Sequence, residues 1–102
     1  MSDLIRQAQK EVLRDEILKM AAEAEPAGAS LQVLRAGLKK LDIDVGEAEL
    51  EIQVHYLEGK DLLHVERLRN DRLGIKRTVS HITPAGTDVL EGNRAAAGIS
   101  GS

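Results

Sequence analysis

At 102 residues the chain has room for one domain with a single core and not for two. Hydrophobic residues are 42% and charged residues 30%, a balance that builds a core and excludes wholesale disorder, while a net charge of −3 does not announce a nucleic-acid binder by bulk charge. The lack of Cys excludes disulfides, thiolate metal sites and thiol nucleophiles, and Tyr56, the sole aromatic residue, leaves no platform for stacking bases or sugars.

From Asp3 to about Ala24, Leu4, Ile5, Ala8, Val12, Leu13, Ile17, Met20 and Ala21 recur at three- and four-residue steps between charges, which predicts a long amphipathic helix. Pro26 and Gly28 stop it. Ser30 then offers a side-chain oxygen to cap a second helix over 31–41, with Leu31, Leu34, Leu38 and Leu41 as its apolar stripe. Turn-formers at 42–46 precede a third periodic segment, 47–57. Leu50, Ile52, Val54 and Tyr56 alternate there as in a strand, while Leu50, Val54 and Leu57 fit a helix. The Glu-rich start and the Leu57-Glu58-Gly59 ending favour the helix, with Gly59 expected to close it in the left-handed conformation.

Beyond Gly59 the stretches 62–69 and 75–82 are rich in Val, Ile, Leu and Thr and flank the turn-prone Asn70-Asp71-Arg72-Leu73-Gly74, which predicts a hairpin. Thr83 stands as a cap with Pro84 at the first helical position, and 85–90 forms a short last helix. From Gly92 the pattern is lost, so 93–102 is expected to be a flexible tail.

The order helix, helix, turn, helix, hairpin, helix resembles a winged helix-turn-helix, with 31–41 and 47–57 as the paired helices. Two strings sharpen the likeness. Tyr56-Leu57-Glu58-Gly59-Lys60-Asp61-Leu62 resembles a winged-helix third helix running into its wing, and Ile82-Thr83-Pro84-Ala85-Gly86-Thr87-Asp88-Val89-Leu90 resembles the junction from wing to last helix. Over residues 1–92 the layout also resembles small winged-helix proteins of Mu-like phages and prophages. The resemblance implies an α+β domain over 1–92 with a long N-terminal helix, three-helix core, hairpin wing and short C-terminal helix. It also implies DNA binding or transcription regulation, although a fold alone settles neither.

In winged helices that read DNA the third helix enters the major groove. Here the stretch 42–61 carries Asp42, Asp44, Glu47, Glu49, Glu51, Glu58 and Asp61 against Lys60 alone, and a carboxylate near a phosphate costs on the order of 1 kcal/mol at partly screened distances. With Leu50, Val54 and Leu57 inward, Ala48, Ile52, His55 and Tyr56 form an outward stripe suited to a protein partner; alternatively, Ile52 and Tyr56 pack under the first helix. The hairpin points the other way. Arg67, Arg69, Arg72, Lys76 and Arg77 outnumber Glu66 and Asp71, as in a wing that grips phosphate or enters a minor groove, or as in a solvated edge strand kept from aggregating. Arg35, Lys39 and Lys40 on the second helix are candidates for added phosphate contacts.

His55, His64 and His81 invite a metal site, and a suitable register would bring His64 and His81 together, but two imidazoles lack a third ligand, so no metal and no cofactor is expected. Ser30 and Ser80 have no catalytic partners at a recognisable spacing, and no glycine-rich phosphate cradle follows a strand, so neither an enzyme nor a small-molecule substrate is expected. A Cys-free chain without an apolar run of bilayer length is expected in the cytoplasm, outside membranes. The candidate functions are therefore a DNA-binding or regulatory protein contacting double-stranded DNA mainly through its wing, with a homodimer expected through the long first helix, or a protein-interaction module using Ala48, Ile52 and Tyr56.

Overall fold

The computed structural model describes residues 3–92; the expectations for the side chain of Ile5 and for the tail 93–102 lie outside the described residues. Helix α1 spans Asp3–Glu23, strand β1 Ala29–Ser30, α2 Leu31–Lys40, α3 Glu47–Gly59, β2 Leu63–Asn70, β3 Ile75–Ile82 and α4 Pro84–Leu90. Three core helices, an antiparallel sheet in the order β1-β3-β2 and a short closing helix make this an α+β winged helix-turn-helix. No helix among the described residues is long and apolar enough to cross a membrane.

Burial divides α1 into two halves. Leu13, Ile17, Leu18 and Ala21 enter the core, whereas Leu4, Ala8 and Val12 of the expected stripe are exposed. The helix is longer than the body it packs on, so helical spacing continues past the surface that could bury it.

Strand β1 is not foreshadowed in the sequence, because two residues leave no alternation to read. It forms because Gly28, at φ 80°, brings the chain against β3: a Cβ there would lie 2.7 Å from both Val79 and His81. Ser30 does cap α2, its Oγ accepting from the Val33 amide at 3.2 Å. Leu31, Leu34 and Leu38 are buried; Leu41 is not, since the helix ends at Lys40 and the Leu41 side chain is exposed in the turn that follows.

The segment 47–57 is helical and runs on to Gly59, burying Leu50, Gln53, Val54 and Leu57. Gly59 does not close it as expected. Asp61 takes the left-handed position instead, at φ 62°, while the Leu62 amide donates to the Leu57 carbonyl at 3.0 Å and the Asp61 amide to the Glu58 carbonyl at 2.9 Å. This is a Schellman closure with an aspartate where glycine is commoner.

The hairpin register pairs Leu63 with Ile82, Val65 with Ser80, Arg67 with Thr78 and Asn70 with Ile75. Gly74, at φ 65°, and the Asn70 side chain, which accepts from the Leu73 amide at 3.2 Å, shape the tip. Thr83 caps α4, accepting from the Gly86 amide at 3.0 Å, with Pro84 leading as expected.

Candidate nucleic-acid interface

The helix-turn-helix pair is fixed by its turn. The amides of Leu41 and Ile43 both donate to the Leu38 carbonyl at 2.9 Å, Asp42 adopts φ 60°, and Val45 plugs the core. Arg35 Nε donates to the Val45 carbonyl at 3.1 Å, tying α2 to the entrance of α3. One nitrogen of this candidate phosphate contact is therefore used within the fold, while Lys39 and Lys40 are exposed in the last turn of α2.

Helix α3 is held from behind by a polar contact inside an otherwise apolar interface. Arg14 of α1, 8% exposed, donates from Nε to Gln53 Oε1 at 2.7 Å, and Gln53, 2% exposed, donates to Glu49 at 2.9 Å. The Arg14 guanidinium also stacks on the Tyr56 ring, 3.6 Å from its centroid. Tyr56 is thus half-buried under α1 and leaves the outward stripe, whereas Ile52 is 59% exposed and Ala48 is exposed beside it. The spacing held a signal for this cluster: Gln53 falls three residues after Leu50 and four before Leu57, on the buried face.

The wing is joined to α3 by a two-pronged ion pair. Arg67 of β2 donates to both oxygens of Glu58 at 2.9 and 3.0 Å. The hydrogen bond from Arg67 holds the Glu58 carboxyl below its ordinary range, and the Glu58 carboxylate in turn raises Arg67. Thr83 Oγ1, donating to the Asp61 carbonyl at 2.7 Å, clasps the chain leaving β3 at the base of the wing to the same junction.

Strand alternation then sorts the basic residues. Arg67, Arg69, Lys76 and Thr78 lie on the face that continues the core and looks toward α3, and Arg77 lies opposite Leu68 on the other face. Arg67 is engaged by Glu58 and Arg69 by Asp71 at 2.7 Å. Arg72, Lys76 and Arg77 are exposed and make no hydrogen bond or ion pair among the described residues. Between α3 and the wing runs a groove of about 520 Å³ whose walls include Glu51 and His55 on one side and Arg69 and Lys76 on the other. A second groove, about 610 Å³, lies between α1 and the turn, lined by Val12, Leu13, Ile43 and Val45.

The acidity of α3 is partly consumed within the fold. Glu58 is tied to Arg67 and Glu49 to Gln53; Glu47 and Glu51 are exposed. The hairpin register is the one that brings His64 and His81 opposite each other, ring centroids 6.4 Å apart. His81 sits between Glu25, 3.1 Å from Nδ1, and Glu66, 3.6 Å from Nε2, an arrangement with no local sequence signal because Glu25 precedes β1. Among the described residues no group of three or more His, Cys, Asp or Glu side chains has an arrangement that could hold a metal ion.

No protein-family model matches the chain, and no curated protein matches it. Solved structures do. One, titled "X-ray structure of PadR-like Transcription factor from bacteroid fragilis", superposes with a TM-score of 0.73 at 25% sequence identity, covering 90% of this chain and 85% of that one.

Proposed function

We propose that this chain is a cytoplasmic DNA-binding transcription regulator that presents α3 to the major groove and flanks it with a basic wing. The observation that carries the reading is the trio of Arg72, Lys76 and Arg77 on the wing, exposed and without a hydrogen bond or ion pair among the described residues, in a fold shared with a PadR-like transcription factor. In a chain of net charge −3, such a local cluster must supply the attraction that bulk charge does not. Lys39 and Lys40 add phosphate contacts from α2, with Arg35 assisting through the nitrogens that do not bind Val45. Arg67 and Arg69 act differently: Arg67 ties the wing to Glu58 of α3, and Arg69 neutralises Asp71 within the wing.

Residues 1–92 form the binding domain, phage-related in this reading, and 93–102 a tail that takes no part in it. Two copies pair through the N-terminal half of α1, where exposed Leu4 and Val12 support the pairing. Binding of the full chain to generic labelled duplex DNA at low and moderate salt tests the proposal. Salt-sensitive binding is expected, and Arg72→Ala and Lys76→Ala should each reduce the salt slope by about one, the share of a single neutralised phosphate. Salt-independent binding, or none at low salt, contradicts it.

A second reading, a protein-interaction module that does not bind DNA, is favoured by one observation: Ile52 and Ala48 lie exposed together on α3. Tyr56 no longer supports it. A stable oligomer that Ile52→Glu dissociates, together with absent DNA binding, is the outcome that selects this reading.

A further inference from the structure

The outward stripe of α3 consists of Ala48, Glu51, Ile52 and His55, at intervals of three, one and three residues, hence on one side of the helix. All four are exposed, and their side chains lie opposite the buried Leu50, Gln53, Val54 and Leu57. None is Arg, Lys, Asn or Gln. The two-pronged pairings that recognise guanine or adenine edges are therefore unavailable to this helix. What the stripe offers is two apolar side chains one turn apart, a carboxylate acceptor between them and an imidazole at the end.

Each base presents its own pattern in the major groove. Thymine has a methyl group, which apolar side chains contact, and cytosine presents an amino donor and no acceptor, which suits a carboxylate. Guanine presents only acceptors, which repel a carboxylate. Glu51 can lie close to the phosphates because a cation stands across from it: Lys76 lines the same groove and has no hydrogen bond or ion pair among the described residues.

We infer that α3 is a pyrimidine-edge reader, in which Ala48 and Ile52 contact thymine methyl groups and Glu51 accepts from the amino group of an adjacent cytosine. The inference rests on the DNA-binding reading above. Arg72, Lys76 and Arg77 supply charge complementary to the backbone, and the stripe supplies the choice of sequence. The acidic, apolar character of the helix is then the basis of its specificity.

The test begins with selection from a randomised duplex pool by the full-length wild-type chain, followed by titration of the selected duplex at one fixed salt concentration. Replacing its contacted thymines by deoxyuridine removes only methyl groups, and a fall of about three- to fourfold in affinity per contacted thymine is expected. Ile52→Ser, at an exposed position, should lower affinity for the thymine duplex and abolish the difference between the two duplexes at its base pair. Glu51→Gln should move the selected base at its position from cytosine to adenine, which Gln can grip with both side-chain groups.

Salt-dependent binding with no penalty for deoxyuridine and an unchanged preference in Glu51→Gln overturns the inference and leaves the regulator reading standing. Failure of the wild-type chain to bind any duplex at low salt overturns both. If Ile52→Glu also breaks a stable oligomer in that case, the stripe is a protein contact.

Discussion

The two ends of the hairpin are governed by different physics. At its base Leu63, Val65, Val79 and Ser80 are buried, whereas every residue from Glu66 through Arg77 is exposed. Apolar burial fixes the register at the base, where a one-residue slip would turn the core face to solvent. The outer part is held by the backbone ladder, the Asn70 and Gly74 turn, and ion pairs in high dielectric. One continuous ribbon thus has a structural end and a contact end, and substitutions along it should separate stability from binding.

The largest effect belongs to the base. Leu63→Ala, at a fully buried position, should destabilise the fold by about 2–5 kcal/mol in denaturant titrations. Behind α3, Gln53→Ala removes the acceptor for Arg14 Nε and the donor to Glu49, and a loss of about 1–3 kcal/mol is expected in the same assay. A loss under about 0.5 kcal/mol would show that water replaces Gln53 readily and that the cluster does not position the helix.

At the joint between the two ends, Glu58→Gln should cost at most about 1 kcal/mol, because the pair is partly solvated. Its pH dependence is diagnostic. The folded carboxyl titrates below its ordinary value of 4.5 because Arg67 bonds the charged form, so its contribution is present above that value and disappears as pH falls through the lower folded value. Wild type and Glu58→Gln should therefore converge in stability on acidification; a gap that persists in acid would point to packing. Smallest of all, Arg72→Ala and Lys76→Ala should change stability by no more than about 0.5 kcal/mol while weakening DNA binding. A large stability loss at either position would erase the distinction between the ends.

What the sequence disclosed follows the same division. Helical spacing at Leu31, Leu34 and Leu38 and at Leu50, Val54 and Leu57 marked the paired helices, and Ser30 and Thr83 marked the starts of α2 and α4, because burial periodicity and capping are local. Facing histidines followed from strand pairing. Legibility failed where partners are distant in sequence: Arg14 with Gln53, Glu58 with Arg67, and His81 with Glu25. It failed again where a pattern outlasts its partner surface, as at Leu4, Val12 and Leu41. The basic wing was visible as composition, but pairing sorts it into Arg67 and Arg69, engaged within the chain, and Arg72, Lys76 and Arg77, which have no ion pair or hydrogen bond among the described residues.

The most direct measurement is a two-dimensional amide spectrum of the isotopically labelled chain titrated with duplex DNA at low salt. Shifts concentrated at residues 48–55 of α3 and 72–77 of the wing are predicted, fading as salt rises. An unchanged spectrum, or shifts centred on Val12 and the 42–45 turn, would contradict the assignment of this face to DNA.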